Sequence, residues 1–323
     1  MTTSASWHWW ADKARRPRYR LTRALFLRGL ALVYLAAFGS LAVQLDGLIG
    51  SRGILPAAEF LERSRPLLGT WPVACWRVPT VFWLDASDNA LHAVCWGGVL
   101  SSVALLFGFL PGYCAVLLWV FYLSFAAVDQ VFLGYQWDSL LLETGLLAVL
   151  MAPWGVRLSR SNDQPWWFTI WLVRWLGFRL MFLSGVVKLA SGDPTWRNWT
   201  ALEIHYQTQP IPTWTSWYIH QMPAWFHGLS VGFMFYAELI APFFIFGPRP
   251  IRLAGFASLV LLQLLIAATG NYGFFNLLAV VICFCILDGR DWVWLSRTVM
   301  RRRWPSKEHS TAEELLRVPG KAR

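Results

Sequence analysis

Charge is what this sequence has least of. Only 14% of its 323 residues are Asp, Glu, Lys or Arg, against 56% hydrophobic residues, whereas soluble domains carry roughly 25% charged residues. The mean hydropathy of +0.44 agrees. A water-soluble core cannot absorb so much apolar side chain, which excludes an ordinary soluble enzyme or binding module. Cysteine is also sparse. Cys75, Cys95, Cys114, Cys283 and Cys285 lie inside or beside apolar segments, where a thiol behaves as a small hydrophobe, so no disulfide framework or thiolate metal site is readable. No inverted repeat or pair of broken helices stands out, which disfavours a transporter.

What is present is a set of apolar segments with cations at their edges. The formal net charge of +10 does not indicate nucleic acid, because the cations form short runs beside apolar blocks rather than one basic face. Eight candidate spans follow, approximately 24–45, 90–110, 113–133, 139–153, 166–189, 229–247, 253–269 and 274–287. The expected fold class is an all-α polytopic transmembrane helix bundle. Several segments fall short of the roughly 20 residues that cross a bilayer, so they borrow flanking polar sequence or thin the membrane locally.

Cation counting gives an orientation, since cytoplasmic loops retain Lys and Arg. A basic cytoplasmic N-terminus (1–23) precedes the transmembrane domain (24–288), and residues 289–323 read as a basic interfacial helix with a polar, mobile tail. Segments 46–88 and 190–228 then fall outside. The first has Pro56 at a plausible first helical turn. In the second, Trp214, Trp217, Tyr218 and Trp225 recur near helical spacing, an aromatic face suited to the headgroup layer.

Ionisable groups in spans cost about 2.5–3.5 kcal/mol each on insertion scales, so each needs a partner or a purpose. Arg28 can snorkel from the inner end of its helix. Arg174 and Arg179 are expected to neutralise Glu143, Asp129 or Glu238. Asp138, Glu143 and Lys188 fall in the outer half, with Asp138 and Lys188 at similar depth, so Lys188 is expected to face Asp138, or failing that Glu143. A lysine in an apolar surround has its pKa lowered and can serve as a base. A structural ion pair is the favoured reading of the two. His205, His220 and His227 share one outer segment, but His220 and His227 are two helical turns apart and cannot share a metal unless Pro223 breaks the helix. Polar contacts at the interface are the simpler reading, and no cofactor is indicated. Cys283 and Cys285 fit packing better than redox work. Asn198-Trp199-Thr200 is a weak glycosylation signal.

Several motifs in order resemble the lipase maturation factor family. These are FLRGLALVYLAAFGSLAVQLDGLIGSRGILP at the first helix, Gly134-Tyr135-Gln136-Trp137-Asp138 with Leu140 to Glu143, Tyr206-Gln207-Thr208-Gln209-Pro210-Ile211-Pro212, and Thr269-Gly270-Asn271-Tyr272-Gly273-Phe274-Phe275-Asn276. The resemblance implies a multi-pass protein of the endoplasmic reticulum or bacterial inner membrane that touches membrane lipids and assists folding or assembly of exported proteins such as lipases. Under that reading Trp214, Trp217, His205, Tyr206 and Gln209 are candidates for contact with a client or ligand. Members usually continue into a substantial soluble region that this sequence does not include, and a separate partner could supply it. A more distant similarity links Phe182-Leu183-Ser184-Gly185-Val186-Val187-Lys188-Leu189, followed by an acidic residue and Trp196, to the vitamin K-dependent gamma-carboxylases. It implies an alternative, an intramembrane enzyme with Lys188 as base and Asp138 where the carboxylases place a histidine.

Overall fold

The computed structural model describes residues 18–129, 131–161, 163–209 and 211–300; the expected tail after Lys307 lies outside them. Among the described residues the chain is helix and turn, with one isolated bridge between Phe109 and Arg157. The long helices are α1 (Arg20–Leu48), α4 (Asp88–Leu106), α5 (Pro111–Val128), α6 (Gln136–Met151), α7 (Trp167–Ala190) and α12 (Arg249–Thr269). Helix α11 (Ala224–Phe235) continues through a π-helical turn (Tyr236–Ile240) into a 3₁₀ segment (Ala241–Phe246). Helix α13 (Phe275–Cys283) runs on to Ile286 in 3₁₀ form, and α14 (Gly289–Met300) follows. Shorter helices fill the two segments expected outside: α2 (Ala57–Leu68) and α3 (Trp71–Arg77), then α8 (Pro194–Arg197), α9 (Ala201–Thr208) and α10 (Trp214–His220).

Six of these elements are long and apolar enough to cross a membrane: α1, α4, α5, α7, the 224–246 run and α12. Helix α6 has 16 residues and the segment Phe275–Ile286 has only 12, below the length that spans unaided. Helix boundaries moved where local chemistry dictated. Helix α5 stops at Val128 rather than near residue 133, because buried Asp129 turns its carboxylate onto the backbone N–H of Phe132 and closes the turn.

Polar contacts place the element ends. At one end of the bundle α1, α7, α12 and α14 converge in a clasp. Thr22 Oγ1 donates to Leu287 O at 2.8 Å, and Arg174 donates to the carbonyls of Cys285 (2.8 Å) and Ile286 (2.9 Å). Arg249 and Arg252 each reach Asp291 at 2.7 Å, and Arg290 reaches Asp288 at 3.0 Å. Both aspartates are fully buried. Burial pushes the Asp288 carboxyl up, but the hydrogen bond and charge of Arg290, the Asp291 N–H and the charge of Arg252 outweigh it and hold the group below its ordinary range. Chain direction then follows. Helices α1, α7 and α12 all start at the clasp and run away from it, so the connections after them gather at the opposite end as a cap.

The interior of the first half is an aromatic cluster, with Tyr34, Phe38, Tyr122 and Phe125 packed edge to face. Gly98 admits Phe38 against α4, since a Cβ there would stand 2.6 Å from the ring.

Candidate functional site at the cap

Lys188 sits in the last turn of α7, and its ammonium donates to both carboxylate oxygens of Glu238, at 2.7 and 2.8 Å. The ammonium also lies 5.6 Å from the ring centroid of Trp196. Glu238 is carried by the π turn, whose extra residue per turn swings the carboxylate toward α7. Such single π turns interrupt α-helices frequently at functional positions. Gly185, three residues before Lys188, allows the approach. A Cβ at Gly185 would meet Leu239 at 2.6 Å and the Glu238 Cβ at 3.1 Å. The lysine is half-buried and the glutamate buried, so each charge depends on the other for compensation.

The expected partner of Lys188 was wrong. Asp138 is engaged elsewhere, accepting from the Tyr122 hydroxyl at 2.5 Å and from the Tyr135 N–H at 3.1 Å. The second bond closes the start of α6 on itself, the work of an acidic residue in the third helical position. Glu143, the second choice, pairs with Arg179 and so ties α6 to α7. Arg179 thus neutralises an acid as expected. Arg174 does not: its guanidinium is spent on carbonyls and on the rings of Tyr19 and Trp171. Similar depth does not fix which way a side chain points around its helix, and here the faces differ.

The aromatic and histidine candidates come together above Lys188. His205 Nε2 lies 3.1 Å from the Tyr272 hydroxyl with the two rings parallel, and Tyr206 packs against His227. Gln209 donates to Thr269 O at 3.1 Å, and Thr215 to Ala268 O. The carbonyls at the end of α12, which lack intrahelical partners, are therefore satisfied by the cap. Burial first, and Lys188 second, lower the pKa of His205. Trp199, held at φ +63°, lays its ring on Gly232 of α11, where a Cβ would stand 2.7 Å away. Trp214 and Trp217 do not join this interior. They are 79% and 63% exposed and form an outer rim with Tyr218 and Trp225.

Pro223 does break the helix between His220 and His227, which fall in α10 and α11. Among the described residues no three His, Cys, Asp or Glu side chains stand together in a way that would hold a metal ion.

The two motif runs around Gln209 and Tyr272 thus form one joint, and the run around Asp138 forms another between α5, α6 and α7. A family model described as the lipase maturation factor transmembrane domain matches residues 21–294. The chain belongs to the lipase maturation factor family. It is 47% identical over 292 residues to lipase maturation factor 2 of Xenopus tropicalis, covering 86% of this chain and 40% of that protein. It is 45% identical over 324 residues to the human protein of that name, covering 93% and 45%. Lipase maturation factor 1 of Bos taurus is 34% identical over 286 residues, covering 85% and 50%. The chain therefore spans about half or less of the length of these relatives. No solved structure matches. The similarity to the carboxylases finds no support among these relatives.

Membership in this family and the six long apolar helices make the chain an integral, multi-pass membrane protein in contact with lipid. Sequence reasoning missed the Asp288 and Asp291 clasp and the role of Glu238. A usable signal existed for the first: two acids three residues apart, directly after an apolar segment and beside Arg290.

Proposed function

We propose that this lipase maturation factor domain assists the folding or assembly of exported proteins such as lipases, by presenting the aromatic rim of its cap to a client at the membrane surface. Family membership over residues 21–294 carries the reading. The rim supports it, because large exposed aromatic surface next to a membrane serves both anchoring and protein contact. Trp76, Trp214, Trp217 and Trp225 are all more than half exposed, more than packing alone requires.

The test is secretion of an active lipase in cells that depend on the protein. Trp214→Ser with Trp217→Ser is expected to reduce active secreted lipase while the variant inserts and accumulates normally, since interfacial aromatics contribute more to contact than to insertion. Unchanged yields at normal variant levels would contradict the reading.

A further inference from the structure

Helices α9, α10 and α11 enclose a cleft of about 340 Å³, lined by Glu203, Ile204, Gln207, His220, Met222 and His227 among others. Two of its imidazoles each leave one nitrogen unpaired. The Nδ1 atoms of His220 and of His227, the latter 2% exposed, are buried without a hydrogen bond. The amide nitrogen of Gln207 lies 3.0 Å from Nε2 of His220. An amide nitrogen only donates, so Nε2 accepts and the neutral ring carries its proton on Nδ1. A buried donor without an acceptor is destabilising. The cleft therefore favours a ligand that brings an oxygen acceptor.

Glu203 restricts that ligand further. A simple anion would meet its carboxylate, so the acceptor must come with a cation. Choline is recognised by aromatic cages, whereas this lining offers the aliphatic Ile204 and Met222. A primary ammonium suits it better, because three N–H donors match the Glu203 carboxylate and the amide oxygen of Gln207. The cleft also lies where α7 and α12 end, beside the exposed Trp214 and Trp217, residues of a type enriched in the headgroup layer. We propose that the cleft binds the headgroup of an ethanolamine phospholipid, its phosphate accepting from His220 and facing His227, its ammonium paired with Glu203.

Native mass spectrometry of the full chain in detergent, titrated with dioleoyl phosphatidylethanolamine, phosphatidylcholine or phosphatidylglycerol, tests this. The ethanolamine lipid should bind about tenfold more tightly than either other lipid. Glu203→Gln should abolish that preference, and His220→Phe should weaken retention of the ethanolamine lipid. Should His220→Phe fail to fold, Glu203→Gln decides alone. Equal retention of all three lipids by the parent, or an undiminished preference in Glu203→Gln, would overturn the proposal. Soluble glycerophosphoethanolamine should compete poorly. If it displaces the lipid at equal concentration, the ligand is the free headgroup compound and the lipid assignment fails.

Discussion

Lys188 is stabilised as one half of a pair rather than as an isolated base. Lys188→Met leaves the buried Glu238 uncompensated, and breaking such a pair costs about 3–5 kcal/mol. Combining it with Glu238→Gln should recover much of that loss, whereas combining it with Asp138→Asn should give additive losses. Thermal unfolding of the parent, the three single variants and the two double variants in one detergent checks both outcomes, and coupling to Asp138 instead would contradict the observed geometry. His205 gives a pH prediction with a definite sign. Its pKa is lowered in the folded protein by burial and by Lys188, so its contribution is complete above the unfolded value of about 6.5 and is lost as pH falls through that value toward the folded one. Hydrogen-exchange protection factors in the cap, corrected for the intrinsic rate at each pH, should therefore fall as pH drops from about 7.5 to about 5.5, and His205→Gln should flatten that fall. The residues of the site were legible as a set but not as pairs. Hydropathy gave the depth of Lys188, while its partner depended on a π turn that shifts Glu238 around its helix, and no periodicity in the sequence announces that turn.

At the level of elements, close approach depends on small residues. Gly185→Val should push the π turn off α7 and destabilise by about 1–3 kcal/mol, the usual cost of overpacking; a thermal shift that leaves stability unchanged would show that α7 and the turn do not rely on this contact. The spans themselves were legible because long apolar runs have few alternatives in a membrane. Their ends were less so: α11 begins at Ala224 rather than near residue 229 and α12 at Arg249 rather than 253, because prolines at 223 and 248 start each helix. The clasp at Asp288 was missed because two of its arginines, Arg249 and Arg252, come from α12, about forty residues away in the chain.

Taken whole, the molecule has a cationic clasp and an aromatic cap at opposite ends. If the clasp is cytoplasmic, as the retention of arginine predicts, single cysteines at Ser51 and Thr213 on a cysteine-free background should react with an impermeant reagent from the outer side. Protection of either position would reverse the orientation. The proposal that the cap meets exported clients stands or falls on contact. A photoreactive phenylalanine analogue replacing Trp214, in cells secreting a lipase, should on illumination yield a covalent adduct between this chain and that lipase. Adducts to lipid alone, in cells where the lipase is being made and exported, would contradict it.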